Sequence, residues 1–255
     1  MTGFVVSKTK AYTLLSLVAA VAVAGTCFSI LTAANAKRRL PIYRVENAKR
    51  QIALTFDAAW TADDVSDIIG ILARFDAPST FFAVGDWAAK YPDAVKALAK
   101  AGHELGNHSA SHTHLNKLDA AAFRADVERC NRTLSDLTGK PVTLSRGPYG
   151  EYNDSAVAAI EEMGMYYIQW DCDSRDWKPD FTVQNILDSA LKNVAPGSIL
   201  LLHVGAKHTV EALPILLERL QADGYTFVTV SDLILKENYT IDHAGEQHPA
   251  SKTTP

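Results

Sequence analysis

The chain contains few cysteines and no excess of basic residues. Its 255 residues include three cysteines, too few for a small fold held together by disulfide bonds. Cys130 and Cys172 could form one bridge outside the cytoplasm, but two buried free thiols are the favoured state. The net charge of −4 argues against the concentrated basic face that nucleic-acid binding needs. With 47% hydrophobic residues, the chain can bury one core, and we expect one domain of about 200 residues.

Charged residues are absent from positions 11–36. This run is long enough to span a bilayer as a helix, and basic residues flank it on both sides. Ala34–Ala36 also resembles the small-residue site of a cleavable signal peptide. We therefore expect residues 1–36 to be a signal peptide or a membrane anchor, and we favour the anchor because the run exceeds a usual signal core. Either alternative places the rest of the chain outside the cytoplasm, membrane-anchored or secreted.

After a predicted linker at residues 37–47, short apolar segments alternate with segments of helical periodicity. We predict strands at residues 51–57, 79–84, 103–107, 142–145, 166–170, 198–202 and 226–230. We predict helices at residues 63–75, 92–100, 119–137, 154–163, 183–194 and 210–222. This alternation indicates parallel strands joined by helical crossovers, in a barrel or an open sheet. The domain is assigned to residues 48–236, and the polar residues 237–255 are predicted to form a flexible tail.

Two histidines separated by three residues, His108 and His112, form a candidate metal-binding pair. If the backbone turns helically between them, both imidazoles lie on one face and can reach one cation. The segment lacks the glutamate of the HExxH motif, which excludes that class of metalloprotease. The spacing alone is a weak signal, because two surface or capping histidines would show it equally well.

Polar residues follow the ends of several predicted strands. Asp57, the histidine pair, Arg146, Asp176 and His203 each come after the C-terminal end of a strand. In a βα barrel those ends share one face, and that face holds the active site. Singly, these residues could be a surface charge, a helix cap or a satisfied buried histidine. Together, five such positions with carboxylate, imidazole and guanidinium groups favour a functional site.

Five short motifs resemble the polysaccharide deacetylase family, also called the chitooligosaccharide deacetylase homology domain or carbohydrate esterase family 4. In the family's order, they are Thr55–Asp57, His108–His112, Arg146–Gly150, Asp173–Trp177 and Leu201–His203. The resemblance covers residues 51–235 and implies an α/β fold, a distorted (β/α) barrel of about seven parallel strands. The residues around Trp60 most resemble a sporulation-associated branch.

The resemblance implies metal-dependent hydrolysis of N-acetyl groups from amino sugars of a cell-wall polysaccharide. Peptidoglycan is the expected polymer, and the protein is expected to act as a monomer. His108 and His112 would hold a divalent metal, with zinc expected and cobalt or another first-row ion as alternatives. The backbone N–H of Tyr149 would stabilise the oxyanion, and Trp177 and Leu201 would form an apolar slot for the acetyl methyl group.

Four residues receive catalytic roles from the same resemblance. Asp57 would take a proton from the attacking water, and Arg146 would pair with Asp57 to keep it ionised and oriented. His203 would protonate the departing amine. Asp176 would hold His203 in its charged form, as a carboxylate does for an imidazolium.

Two positions depart from the family's pattern. Ala58 stands where the family usually has a metal-binding aspartate, although a catalytic zinc normally has three protein ligands. Asp63 or Asp64 could supply an oxygen or cap the following helix, and Asp57 could itself bind the metal. Gly147 stands where proline is common, and we expect it to loosen its loop.

Two classes of function are compatible with these residues. The first is an extracytoplasmic, metal-dependent deacetylase. The second is a non-catalytic glycan-binding protein on the same scaffold, in which the metal site has decayed. We favour the enzyme because Asp57, Arg146, Asp176 and His203 are all retained, and a decayed enzyme has no physical reason to keep the acid, the base and both their partners.

Overall fold

A computed structural model describes residues 38–47 and 49–250. The segment predicted to be a signal peptide or anchor, residues 1–36, lies outside the described residues. Within the described ranges, no helix is both long and apolar enough to cross a membrane.

The main sheet has eight strands, and all of its pairings are parallel. They are β2 (Gln51–Ala58), β3 (Thr80–Ala83), β4 (Glu104–Asn107), β5 (Leu144–Ser145), β6 (Tyr166–Tyr167), β7 (Cys172–Asp173), β8 (Ile199–His203) and β9 (Thr226–Val228). Seven follow the order β6-β5-β4-β3-β2-β8-β7, and β9 pairs with the start of β2. The sheet curls into a half-barrel, which confirms the predicted distorted (β/α) barrel.

Eight helices cover the described part of the chain. They are α1 (Val65–Arg74), α2 (Gly85–Lys90), α3 (Pro92–Lys100), α4 (Ala120–Thr138), α5 (Asp154–Glu162), α6 (Val183–Leu191), α7 (Thr209–Ala222) and α8 (Val230–Leu233). Six match the predicted helices to within a few residues. The sequence missed α2 and α8, because helices this short do not display a helical period.

The central strand β2 is buried along almost its whole length. Ile52, Leu54 and Phe56 pack in the large cluster shared with the surrounding helices. Ala53 belongs to a second cluster, together with residues such as Ile199. Because side chains alternate along a strand, one face of β2 packs against the helices and the other faces the barrel interior. A near-continuous apolar run is typical of a parallel strand covered on both faces.

A second, three-stranded sheet occupies segments that the sequence assigned to a linker and a flexible tail. It is formed by β1 (Arg44–Val45), β10 (Tyr239–Ile241) and β11 (Glu246–Pro249), in the order β1-β11-β10. The prediction of a flexible tail is therefore wrong as far as residue 249. The reason is Gln247, which is fully buried and exchanges two hydrogen bonds of 2.7 Å with the backbone of Leu235.

The two cysteines of the described domain are free and buried. Burial raises the pKa of each thiol to about 12. The favoured prediction of two buried thiols is confirmed, and the alternative of a Cys130–Cys172 bridge is excluded.

We predict that Gln247→Ala destabilises the fold by about 1–3 kcal/mol, because the paired N–H and C=O of Leu235 lose their partners. Urea unfolding should show a lower midpoint with an unchanged slope. Gln184→Ala is the matched control, since Gln184 is exposed on α6 and bonds only Asp188 there. Equal midpoints for the two variants would mean that the hydrogen bonds between Gln247 and Leu235 add nothing to stability.

Candidate active site

The predicted site residues meet at the C-terminal edge of the main sheet. Asp57 near the end of β2 is the direct register partner of His203 at the end of β8. His108 follows β4, Arg146 follows β5, and Asp176 lies three residues after β7. The topology of parallel strands therefore brings these side chains to one edge, as the strand-end pattern predicts.

Arg146 is fully buried and forms an ion pair with Asp57. Its Nη1 donates to Asp57 Oδ1 at 2.8 Å and to Thr55 Oγ1 at 2.9 Å, and its Nη2 donates to the carbonyl of Gln169 at 3.2 Å. The guanidinium also lies 4.1 Å from the centroid of the Phe82 ring. The alternative that Arg146 is a surface charge is wrong.

The pair keeps Asp57 ionised. Burial acts to raise the pKa of Asp57, but the charge and hydrogen bond of Arg146, together with the charge of His203, outweigh it and hold that pKa below its usual value. One carboxylate oxygen is taken by Arg146. The other, Oδ2, lies 3.4 Å from Nε2 of His108.

His108 and His112 are neutral imidazoles placed side by side, with ring centroids 5.1 Å apart. His108 Nδ1 lies 2.9 Å from the carbonyl oxygen of Arg146. Because a carbonyl can only accept, Nδ1 carries the hydrogen and Nε2 keeps its lone pair. Burial lowers the pKa of His108, and burial together with His108 lowers that of His112 to about 4. Two unprotonated imidazoles, one oriented through its far nitrogen, fit a metal-binding role.

The histidine pair lies in a turn, not in the helix that its spacing suggested. Ser109 and His112 both have left-handed backbone angles, φ 66° and 56°. The Ser109 hydroxyl accepts the backbone N–H of His112 at 2.8 Å. The turn, and not a helical period, brings the second imidazole next to the first. Strained backbone of this kind clusters at functional sites.

A third protein ligand is not supplied by the candidates from the sequence. Ala58 is fully buried in the helix-facing core. Asp63 is exposed, and Asp64 accepts the backbone N–H of Gly205 at 2.8 Å through Oδ2 instead of capping α1. The carboxylate in contact with His108 is that of Asp57.

Across the described ranges, one group of three side chains has potential metal-ligand atoms within 4.8 Å of one another, and it lies outside this site. It consists of Asp242, Glu246 and His248 around β11. Ion pairs explain why these side chains lie close together, because Glu246 contacts Arg44 and the imidazole of His248 contacts Glu46. The site at the strand ends therefore holds two histidines and a shared aspartate, without a complete set of three converging ligand atoms.

Asp176 and His203 form the second charged pair of the site. Asp176 Oδ1 lies 2.7 Å from His203 Nδ1. Asp176 Oδ2 accepts the backbone N–H of His203 at 2.8 Å and the hydroxyl of Thr209 at 2.6 Å. Burial acts to lower the pKa of His203, but the hydrogen bond and charge of Asp176 prevail and raise it above its usual value. Asp176 bonds residues of the β8 end and of α7, so the alternative that it merely caps the following helix is wrong. His203 is a histidine satisfied by Asp176, and its role in the site stays a prediction.

Three large aromatic side chains at this edge are exposed. Among the described residues, the exposed large hydrophobic side chains are Trp60, Tyr149, Trp177 and Ile215. Tyr149 packs edge-on against the ring of His112, and Trp177 directly follows Asp176. Large exposed apolar groups beside a polar site mark a place where a ligand binds.

Of the other two residues predicted to bind substrate, Tyr149 is exposed and Leu201 is buried. Tyr149 has a left-handed backbone, φ 61°, and its hydroxyl donates to the carbonyl of His112 at 3.2 Å. Leu201 is almost completely buried and lies two residues before His203, on the same face of β8. It is therefore placed below the imidazole and not at the rim.

Gly147 does not loosen its loop. Its φ of −71° would suit a proline. However, a Cβ at this position would lie 2.2 Å from the hydroxyl oxygen of Tyr167 and 2.5 Å from the carbonyl oxygen of Glu151. These two atoms hydrogen-bond to each other at 3.0 Å. The loop is tightly packed, and glycine is needed because that hydrogen bond occupies the space of a side chain.

A residue that the sequence did not assign to the site is Trp60. Its indole stacks on the imidazole of His203, with centroids 5.3 Å apart and an interplanar angle of 14°. Its position two residues after β2, beyond Asp57, is the signal that could have identified it.

Comparisons with known proteins agree with this geometry. A family model described as polysaccharide deacetylase matches residues 44–168. A peptidoglycan-N-acetylglucosamine deacetylase of Bacillus cereus is 31% identical over 189 residues, which cover 72% of this chain and 68% of that protein. The chain belongs to the polysaccharide deacetylase family. The family predicted from the motifs is thus confirmed, and the sporulation-associated branch stays a prediction.

Solved structures similar to this chain include a protein described as a pseudoenzyme of this family. The wild-type form of a CE4 family pseudoenzyme from Bacillus anthracis matches with a TM-score of 0.74 at 28% identity, over 82% of this chain and 73% of that one. A mutant of the same pseudoenzyme, described as having restored enzymatic activity, also has a TM-score of 0.74, at 30% identity over 77% of this chain and 72% of that one. The fold is therefore shared by active and inactive members, and activity must be argued from the residues of the site.

We predict that Asp176→Asn lowers the pKa of His203, because burial remains while the neighbouring charge is lost. An NMR titration of the His203 imidazole measures this shift. In the native protein the raised pKa stabilises the fold most fully below the unfolded value of 6.5, and this contribution is lost as the pH rises through the folded pKa. The variant should lack this pH dependence. Asp188→Asn, an exposed change on α6, is the control, and an unchanged His203 titration in Asp176→Asn would contradict the assigned coupling.

Proposed function

We propose that this protein is a metal-dependent hydrolase that removes N-acetyl groups from amino sugars of a cell-wall polysaccharide, with peptidoglycan as its substrate. The observation that carries the proposal is the presence of two charged pairs on neighbouring strand ends. Arg146 favours the ionised form of Asp57, and Asp176 favours the protonated form of His203, because the two neighbours lower the pKa of Asp57 and raise that of His203. Titratable groups whose environments push their pKa values apart provide an acid and a base in one site.

Asp57 provides the base. Its Oδ1 accepts the hydrogen bond of Arg146, so Oδ2 is the oxygen that takes the proton of the attacking water. Arg146 fixes the direction of the carboxylate and is itself held by Thr55 and Gln169. The base is therefore oriented before the substrate arrives.

His203 provides the acid. Its Nδ1 is occupied by Asp176, so Nε2 is the atom that donates a proton to the departing amine. Asp176 is positioned by the backbone N–H of His203 and by Thr209, and does not need to change its own protonation.

His108 and His112 are the residues that would hold the metal. A divalent ion held by this pair, with zinc expected, would polarise the N-acetyl carbonyl and lower the pKa of nearby water. The backbone of Tyr149 supplies the oxyanion donor in this proposal, and Trp177 with the underlying Leu201 lines the position of the acetyl methyl group. Alanine at position 58 leaves the pair without the family's usual carboxylate, so we expect weak metal binding.

The cell-wall substrate is supported by the activity named for the Bacillus cereus relative and by the three exposed aromatic side chains at the site. A cell-wall polymer lies outside the cytoplasm. The proposed substrate therefore agrees with the expectation of a signal peptide or membrane anchor at residues 1–36, and we propose an extracytoplasmic location.

A second candidate is a non-catalytic glycan-binding protein. Two observations favour it, namely Ala58 in place of a ligand and the similarity to a pseudoenzyme from Bacillus anthracis. The enzyme remains the better proposal because both charged pairs are complete, and binding a glycan requires neither of them.

We predict that the purified protein with added zinc or cobalt releases acetate from N-acetylglucosamine oligomers or from peptidoglycan. Asp57→Asn and His203→Ala should each reduce the rate by about 100-fold or more, the usual contribution of a general base or acid. Asp180→Asn and His243→Ala are exposed, matched controls that should keep the rate. Glycan binding without acetate release under any added metal would favour the second candidate.

After equilibration with excess zinc, we predict one metal ion per chain by elemental analysis, and its loss in His108→Ala but not in His243→Ala. Ala58→Asp should lower thermal stability in metal-free buffer, because it buries a charge. Added zinc should then raise the melting temperature of this variant more than that of the native protein. Equal metal content in His108→Ala and the native protein would remove the histidine pair from the metal site.

A further inference from the structure

Trp60 lies against the face of His203 and is nevertheless about half exposed. The indole and the imidazole are nearly parallel, with centroids 5.3 Å apart, and the exposed fraction of Trp60 is 47%. One face of the indole is therefore covered by His203. A large area of the ring remains open at the edge that holds both charged pairs.

The loop that carries Trp60 is fixed, so its exposure does not result from a loose segment. Trp87 Nε1 donates to the carbonyl of Thr61 at 3.2 Å. Asp64 Oδ2 accepts the backbone N–H of Gly205 at 2.8 Å, which ties the loop to the residues after His203. Gly205 has φ +82°, and a Cβ there would lie 2.7 Å from Cγ2 of Thr61. The two loops are thus in close contact, and the indole is held in place before any ligand binds.

A flat apolar ring held in this way suits one class of ligand. One face of a pyranose ring consists of C–H groups, and it gains by covering an exposed aromatic face. In the proposed function, on which this inference rests, His203 donates a proton to the amine of the reacting sugar. That sugar must lie beside Nε2 of His203, and the indole extends from the same imidazole.

We propose that Trp60 binds a pyranose ring of the glycan, either the reacting sugar or its immediate neighbour. Trp60 is then a specificity-determining residue, which favours carbohydrate chains over small acetylated amines. Neither the sequence motifs nor the metal pair assign this role. It differs from that of Trp177, which the resemblance places at the acetyl methyl group.

The test measures glycan binding apart from turnover. The N-acetylglucosamine tetramer is titrated by calorimetry into Asp57→Asn protein, which does not consume it, with and without Trp60→Ala. We expect the dissociation constant to rise about tenfold or more in Trp60→Ala, and much less in Trp60→Phe, which keeps a ring. Ile215→Ala is the matched control, because it shortens an exposed apolar side chain on α7 and should not change binding. Thermal denaturation of each variant verifies its folding.

The alternative role for Trp60 is to shield His203 alone. In that case the pH profile of acetate release would shift in Trp60→Ala, while the dissociation constant of the tetramer would stay the same. An unchanged dissociation constant overturns the proposal, and so does a loss in Trp60→Phe equal to that in Trp60→Ala. With active protein, Trp60→Ala should raise KM for the tetramer more than it lowers kcat.

The proposed function and the role of Trp60 can fail separately. Acetate release with a Trp60-independent dissociation constant would retain the hydrolase and reject the sugar contact. Trp60-dependent binding without acetate release would retain the sugar contact and reject the hydrolase. Absence of tetramer binding to the Asp57→Asn protein would overturn the role of Trp60.

Discussion

The buried ion pair between Arg146 and Asp57 determines how the strand-end edge is arranged. Removing one partner of such a pair costs about 3–5 kcal/mol, because the other charge is left buried alone. The protein compensates for burial by surrounding the guanidinium with Thr55, the carbonyl of Gln169 and the ring of Phe82. These groups belong to β2, to β3 and to the segment that follows β6, so the pair joins separate parts of the sheet through one side chain.

The two charged pairs counteract opposite effects of burial on the pKa values of Asp57 and His203. A buried carboxylate tends to take up a proton, and a buried imidazole tends to lose one. Each tendency is reversed by a neighbour of opposite charge, Arg146 for Asp57 and Asp176 for His203. Because Asp57 and His203 are register partners, the strand pairing itself sets the separation of the proposed base and the proposed acid. The site is therefore preorganised by the sheet.

The positions of Asp57 and His203 could be predicted because parallel strands end at a common edge, and a short apolar run followed by a polar residue is visible in any sequence. The second sheet could not be predicted in this way. Its strands are polar, and their order depends on the pairing of Arg44 with Glu246 and the burial of Gln247, both of which join distant parts of the chain. Trp60 was not predicted for a related reason, since its stacking partner His203 lies on another strand. A pattern within a short segment reveals only the periodicity of that segment. The contacts of Gln247 and Trp60 form only when segments distant in sequence pack together.

Arg146 contacts Asp57 through its side chain and His108 through its backbone. The carbonyl of Arg146 holds Nδ1 of His108, while the guanidinium holds Asp57. Replacing the side chain would remove the partner of the carboxylate and leave the imidazole oriented by an unaltered peptide group. During divergence, one substitution at this position would therefore abolish the proposed hydrolysis and still leave an aligned histidine. A later reversion would need to rebuild only the lost side chain.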